Sequence, residues 1–99
     1  MRSRQTPRRI PMAESRTLEI EAERRQLLKA EADIEEGWSR LRNQEDLLAS
    51  LRASGQNVKE AERLVRLLKS ILIEWERHRG LIERRIAYLQ KREAEGRQG

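Results

Sequence analysis

The sequence predicts an all-α protein, an antiparallel two-helix coiled-coil hairpin that dimerises into a four-helix bundle. Of its 99 residues, 39% are charged, 36% are hydrophobic and only 3% are aromatic, a composition typical of long helices and coiled coils. Apolar residues recur at heptad spacing along two stretches of about 40 residues each. One firm helix breaker, at residues 54–57, separates these stretches.

The first eleven residues form a basic N-terminal tail. The tail has no acidic residue, and Pro7 and Pro11 interrupt it. Its arginines are Arg2, Arg4, Arg8 and Arg9. Because it has no apolar face to pack, we predict disorder over residues 1–11. It also lacks the apolar core of a secretion signal, and no stretch of roughly 20 apolar residues follows it, so we expect a cytoplasmic protein without a membrane span.

Helix 1 is predicted from about residue 12 to residue 54. Pro11 suits the start of a helix, and no proline follows it. One heptad position holds Ile20, Leu27, Ile34, Leu41 and Leu48. The position three residues later holds Glu23, Ala30, Gly37, Gln44 and Leu51. These two positions form one seam on the helix.

The chain is predicted to reverse at residues 55–57. Gly55 can adopt the left-handed conformation that ends a helix. Asn57 can cap the next helix, with Glu60 three residues later as in a capping box. Helix 2 then runs from about residue 58 to residue 95, and we expect residues 96–99 to be disordered. Its seam positions hold Val58, Val65, Leu72, Arg79 and Ile86, and Ala61, Leu68, Trp75, Ile82 and Leu89.

Folding the chain at Gly55 pairs the two seams. Leu41 then lies opposite Leu72, and Gly37 lies opposite Trp75, so that a small residue faces a large one. The predicted hairpin core is Leu27, Ile34, Gly37, Leu41, Leu48, Leu51, Ala61, Val65, Leu68, Leu72, Trp75, Ile82, Ile86 and Leu89. The few polar seam residues, Glu23, Gln44 and Arg79, are expected to fix register and orientation.

A second apolar stripe on helix 2 stays exposed after the hairpin closes. Since one partner helix covers only one seam, we predict that a second copy covers this stripe in a homodimer. The predicted dimer interface is Trp38, Leu47, Leu64, Leu67, Ile71, His78, Leu81 and Tyr88. The helices also differ in charge. Residues 14–54 hold ten acidic and seven basic side chains, and residues 57–95 hold seven acidic and ten basic ones.

The residues offer little for catalysis or metal binding. The chain has no cysteine and one histidine, His78, which lies one helical turn after Glu74. We expect a half-buried His78 hydrogen-bonded to Glu74 rather than a metal ligand, because the seam is almost entirely aliphatic. The sequence shows no phosphate-binding loop or dinucleotide motif. We therefore expect no enzymatic activity, no metal, no cofactor and no small-molecule substrate.

Residues 35–89 resemble short helical-hairpin proteins of soil and root-nodule bacteria, a family without an established activity. The likeness lies in a glycine and a glutamine in helix 1, a turn glycine and a late His-Arg pair. The residues that carry it are Gly37, Gln44, Leu47, Leu48, Leu51, Gly55, Ala61, Glu62, Leu64, Leu68, Leu72, His78, Arg79, Ile82 and Leu89. The resemblance implies a bacterial hairpin and implies no reaction.

Three functions follow as hypotheses. The leading one is a non-enzymatic, self-associating interaction or scaffolding module. The second is a weak, salt-sensitive nucleic-acid contact through the tail arginines Arg2, Arg4, Arg8 and Arg9. The third is an adaptor whose open helix 2 face receives a helix of a different protein. The basic cluster around Arg77, Arg84 and Arg85 is interleaved with glutamates, so we expect a solvated helix face there.

Overall fold

The computed structural model describes residues 12–98, which form two helices joined by a short turn. Helix α1 spans Met12–Ala53 and helix α2 spans Lys59–Gln98. They run antiparallel, since Arg52 pairs with Glu62 beside the turn and Thr17 contacts Glu93 at the open end. The predicted all-α hairpin is confirmed. Dimerisation stays a prediction, and the tail 1–11 lies outside the described residues.

The turn is held by a capping motif at each helix end. The Gln56 N–H donates to the Leu51 carbonyl at 2.9 Å, and the Gly55 N–H donates to the Arg52 carbonyl at 3.2 Å. This pair of bonds is a Schellman motif, which requires a left-handed residue, and Gly55 has a φ of 68°. Asn57 Oδ1 accepts a hydrogen bond from the Lys59 N–H at 3.0 Å and so caps α2.

The core is one seam between the helices. Its buried side chains are Ile20, Ile34, Leu41, Leu48, Ala61, Val65, Leu72, Ile82, Ile86 and Leu89. Gly37 is also buried, and Leu27, Leu51 and Leu68 are half-buried. All but Ile20 belong to the predicted core. Ile20 extends the same heptad position by one heptad, about two helical turns, toward the open end of the hairpin.

Trp75 differs from its predicted place in the core, because 38% of its surface is exposed. Its ring edge packs against Gly37, where an added Cβ would lie 3.0 Å from Trp75 Cζ3. The remainder of the indole extends past the seam. An indole is longer than the space between two helices, and no third helix covers it in the hairpin.

Helix α2 ends later than predicted. Residues 96–98 continue the helix to Gln98, although we expected disorder from residue 96 onward. Among the described glycines only Gly55 has a positive φ, so Gly96 keeps a helical backbone. One glycine costs a helix about 1 kcal/mol and does not by itself end it.

The polar seam residues make few bonds across the helices. Glu23, on α1, accepts a hydrogen bond from Arg85 Nε of α2 at 3.0 Å. Arg79 Nε is buried without a hydrogen-bond partner and lies 3.7 Å from Glu83 Oε1. Glu23 therefore ties the open half of α1 to α2. Arg79 has its acidic partner on its own helix, so it does not tie α2 to α1 in the same way.

Candidate interaction surface

The closed hairpin has two broad sides, each formed by one outer stripe of α1 and one of α2. Face A is formed by Asp33, Glu36, Arg40, Gln44 and Leu47 of α1 and by Leu64, Leu67, Ile71, Glu74 and His78 of α2. Face B is formed by Glu31, Glu35, Trp38, Arg42 and Glu45 of α1 and by Glu62, Arg66, Lys69, Ile73 and Glu76 of α2. Helical spacing keeps each stripe on one side.

Face A carries a continuous apolar strip in the half of the hairpin nearest the turn. We define the apolar strip as Leu47, Leu51, Leu64, Leu67, Ile71 and Trp75. An open groove of ≈ 590 Å³ runs between Leu47 of α1 and Leu64 of α2. A smaller groove, ≈ 190 Å³, continues it beside the contact of Gly37 with Trp75 and is also lined by Arg40 and Ile71. Leu47 is 47% exposed and Leu67 is 54% exposed, so water covers much of the strip.

Charged pairs border the apolar strip on α1 and α2. Glu36 and Arg40 form an ion pair at 2.8 Å, and Arg77 lies 4.0 Å from Glu74. All of these side chains are well exposed, so the pairs contribute little to hairpin stability. An apolar centre with a charged rim is the usual anatomy of a protein interface.

Face B is different in character, because charged side chains cover most of it. Arg52 pairs with Glu62 at 3.0 Å, and Lys69 lies 3.9 Å from Glu45. Ile73 is 64% exposed, but the grooves beside it are lined mainly by charged residues. Face B therefore has the composition of an ordinary solvated coiled-coil surface.

Trp38 lies on face B, so the structure separates it from the rest of the predicted dimer interface. Its indole Nε1 donates to Glu76 Oε1 at 3.3 Å, and it borders a groove with Arg42 and Arg79. Trp38 and Leu47 are nine residues apart in α1. At 3.6 residues per turn this spacing is two and a half turns, which puts them on opposite sides of the helix.

The distal part of the predicted stripe is exposed but isolated. Leu81 is 52% exposed and Tyr88 is 56% exposed. The neighbouring positions of α1 on this side hold Gln26 and Lys29 rather than apolar residues. His78 is exposed rather than half-buried, and among the described residues Glu74 pairs with Arg77 and not with His78, in contrast to our expectation. Only near the turn do both helices contribute to the apolar strip.

The described residues show neither a metal centre nor a membrane span. Within residues 12–98, no three histidine or acidic side chains are grouped closely enough to hold a metal ion. Neither described helix has the length and hydropathy needed to cross a bilayer. The tail arginines of the nucleic-acid hypothesis, Arg2, Arg4, Arg8 and Arg9, lie outside the described residues. No protein-family model, curated protein or solved structure matches the chain.

Proposed function

We propose that this protein is a non-enzymatic interaction module that associates with a second copy of itself through face A. The observation that supports the proposal is the apolar strip, which both helices build and which water covers in the single hairpin. Stacking two copies face to face gives a four-helix bundle, the usual way for helical hairpins to enclose an apolar surface. Such a module serves to bring two chains, and whatever they carry, together.

The energetic argument rests on how little one hairpin buries. In the described part of the chain no large side chain is fully buried, and the best-covered ones, Leu41 and Leu72, keep 3% exposure. Covering a leucine completely contributes about 1.5–3 kcal/mol. A symmetric interface covers every residue of the apolar strip twice, once in each copy. Association therefore supplies stabilisation that a two-helix seam lacks.

The test is the mass of the full chain in solution, measured by light scattering after size exclusion. We expect twice the 11.7 kDa of one chain. We also expect Leu67→Glu to reduce the mass to that of a monomer, because it places a charge in the apolar strip. Leu67 is exposed in the hairpin, so the substitution leaves the seam between α1 and α2 intact.

Ile73→Glu is the matched control. Ile73 is an exposed aliphatic residue of the same helix, 64% accessible, but it lies on face B. The proposal requires that Ile73→Glu stay dimeric at the same protein concentration, with circular dichroism showing equal helicity in both variants. A wild-type monomer, or a dimer that survives Leu67→Glu, would overturn it. A wild-type monomer that binds a hydrophobic dye would instead favour the adaptor hypothesis.

A further inference from the structure

We infer that the two hairpins lie with their turns at the same end of the dimer, so that α1 of each copy stacks on α2 of the other. This inference rests on the proposed self-association through face A. It goes further because it fixes which helix meets which, and therefore which ends of the two chains are held together.

Two-fold symmetry allows two basic ways to stack face A on face A. If the axis runs parallel to the helices, the turns coincide and each α1 covers the partner's α2. If the axis runs across the helices, the turns point in opposite directions. In that case α1 covers the partner's α1, and α2 covers the partner's α2. The first arrangement is called aligned here, and the second is called opposed.

The position of the apolar strip disfavours an opposed dimer with full overlap. The strip lies in the turn-proximal half, whereas the distal half of this side holds Lys29, Asp33 and Arg85. Full opposed overlap lays each apolar strip over a distal half that is polar on α1 and has Leu81 and Tyr88 as its exposed apolar residues on α2. The aligned dimer superimposes the two strips completely. A staggered opposed dimer, overlapping only near the turns, is the one competitor that also covers them.

Net charge further disfavours the fully overlapped opposed dimer. Residues 14–54 carry a net charge of −3 and residues 57–95 carry +3, from ten and seven acidic side chains against seven and ten basic ones. In the aligned bundle every helix has neighbours of opposite charge. In the fully overlapped opposed bundle α1 packs on α1 and α2 on α2 along their whole length. Single exposed pairs contribute little, but like-charged surfaces in contact select against an arrangement.

Individual residues at the rim of the apolar strip agree with the aligned dimer. The contact of Gly37 with Trp75 and the bond of Trp38 to Glu76 fix the level of each residue along the hairpin. Arg40 thus lies at the level of Glu74, and Glu36 lies near the level of Arg77. When α1 covers the other copy's α2, Arg40 approaches the partner's Glu74 and Glu36 approaches the partner's Arg77. Opposite charges meet at both points, whereas the staggered dimer, in which α1 covers α1 and α2 covers α2, forms neither pair.

The test is a pair of distances between spin labels in the full-length dimer. Because the chain has no cysteine, a single labelled cysteine can be placed at the turn, by Gln56→Cys, or at the open end, by Ala94→Cys. Both positions are exposed. Because each chain then carries one spin label, double electron–electron resonance measures only the distance between the labels of the two copies. For the aligned dimer we expect about 20–35 Å from both variants, the width of a four-helix bundle with its labels.

The other outcomes are distinct. A dimer with about 60 Å from both variants is the fully overlapped opposed form, since that is the length of a 40-residue helix. A short distance at residue 56 with a much longer one at residue 94 is the staggered opposed form. Either result overturns the aligned arrangement while leaving self-association intact. A monomeric mass with no distance between copies overturns both. Unchanged helicity and mass of the labelled chains serve as the control.

Discussion

Among single residues, Gly37 sets how closely the two helices approach. A Cβ added there would lie 2.8 Å from Leu72 Cδ2 and 3.0 Å from Trp75 Cζ3. Alanine improves helix propensity by about 1 kcal/mol, but crowding a packed seam costs about 1–3 kcal/mol. We therefore expect Gly37→Ala to lower the free energy of unfolding by about 1 kcal/mol. Urea denaturation followed by circular dichroism measures the change.

Gly80 is the matched control for Gly37, because it is also a glycine inside a helix. A Cβ at Gly80 meets only Arg84 Nη2, at 3.9 Å. Gly80→Ala should therefore keep the gain in helix propensity and raise the free energy of unfolding by about 0.5–1 kcal/mol. Equal gains from the two alanine substitutions would show that the space at Gly37 is not limiting.

The same residues show what could be predicted about side-chain positions. Heptad spacing and a short turn fix the register, so the facing of Gly37 and Trp75 was predictable. The partial exposure of Trp75 was not predictable. Heptad spacing shows which residues face the partner helix, but it does not show how much of a large side chain fits between the two helices. The face of α1 on which Trp38 lies could also be predicted from the sequence. Trp38 is nine residues from Leu47, or two and a half turns, so the two side chains lie on opposite faces of the helix. Comparing the angular positions of Trp38 and Leu47 around α1 is therefore enough to remove Trp38 from the predicted dimer interface.

Among the elements, the turn depends on the conformation of one residue. Gly55 has a φ of 68°, and nothing lies within 4 Å of the place where its Cβ would be. A substitution there meets backbone strain and no crowding. We expect Gly55→Ala to lower the free energy of unfolding by about 1–2 kcal/mol and Gly55→Asn by less, since asparagine tolerates the left-handed region better. Urea denaturation of the two variants tests this order.

A larger loss of unfolding free energy for Gly55→Asn than for Gly55→Ala, or no loss for Gly55→Ala, would mean that the chain does not need the Schellman turn. A hydrodynamic radius for Gly55→Ala larger than that of the wild type would show the reason, namely that both helices have joined into one rod. Neither result is expected, because the hydrogen bonds of Gly55 and Gln56 close the motif around a left-handed residue.

The ends of the helices were predictable to different degrees. At the turn the predicted and observed ends agree within one residue, because Gly55 and Asn57 each carry a specific capping role. At the open end Gly96 was the only signal, and it is too weak to end α2. Of the two contacts of the predicted capping box, one is present. Asn57 caps α2, but Glu60 makes no hydrogen bond back to it among the described residues.

For the whole molecule, the sequence predicted that α2 carries more apolar surface than one seam can use. Which residues of α1 lie beside that surface depends on the packed hairpin. In the packed hairpin Leu47 lies in the apolar strip and Trp38 lies on face B. The result is one side with an apolar strip and one mainly charged side, and the proposed pairing through face A rests on this asymmetry.

If folding and pairing are one process, the melting temperature must depend on protein concentration. A hundredfold increase stabilises a dimer by about 2.7 kcal/mol. With the usual entropy of unfolding for two such chains, the melting temperature should rise by about 5–8 °C. Circular dichroism melts at the two concentrations measure the slope, which Ile73→Glu should keep and Leu67→Glu should lose. A wild-type melting temperature that does not change with concentration would mean that each hairpin folds alone, which leaves face A open to a different protein.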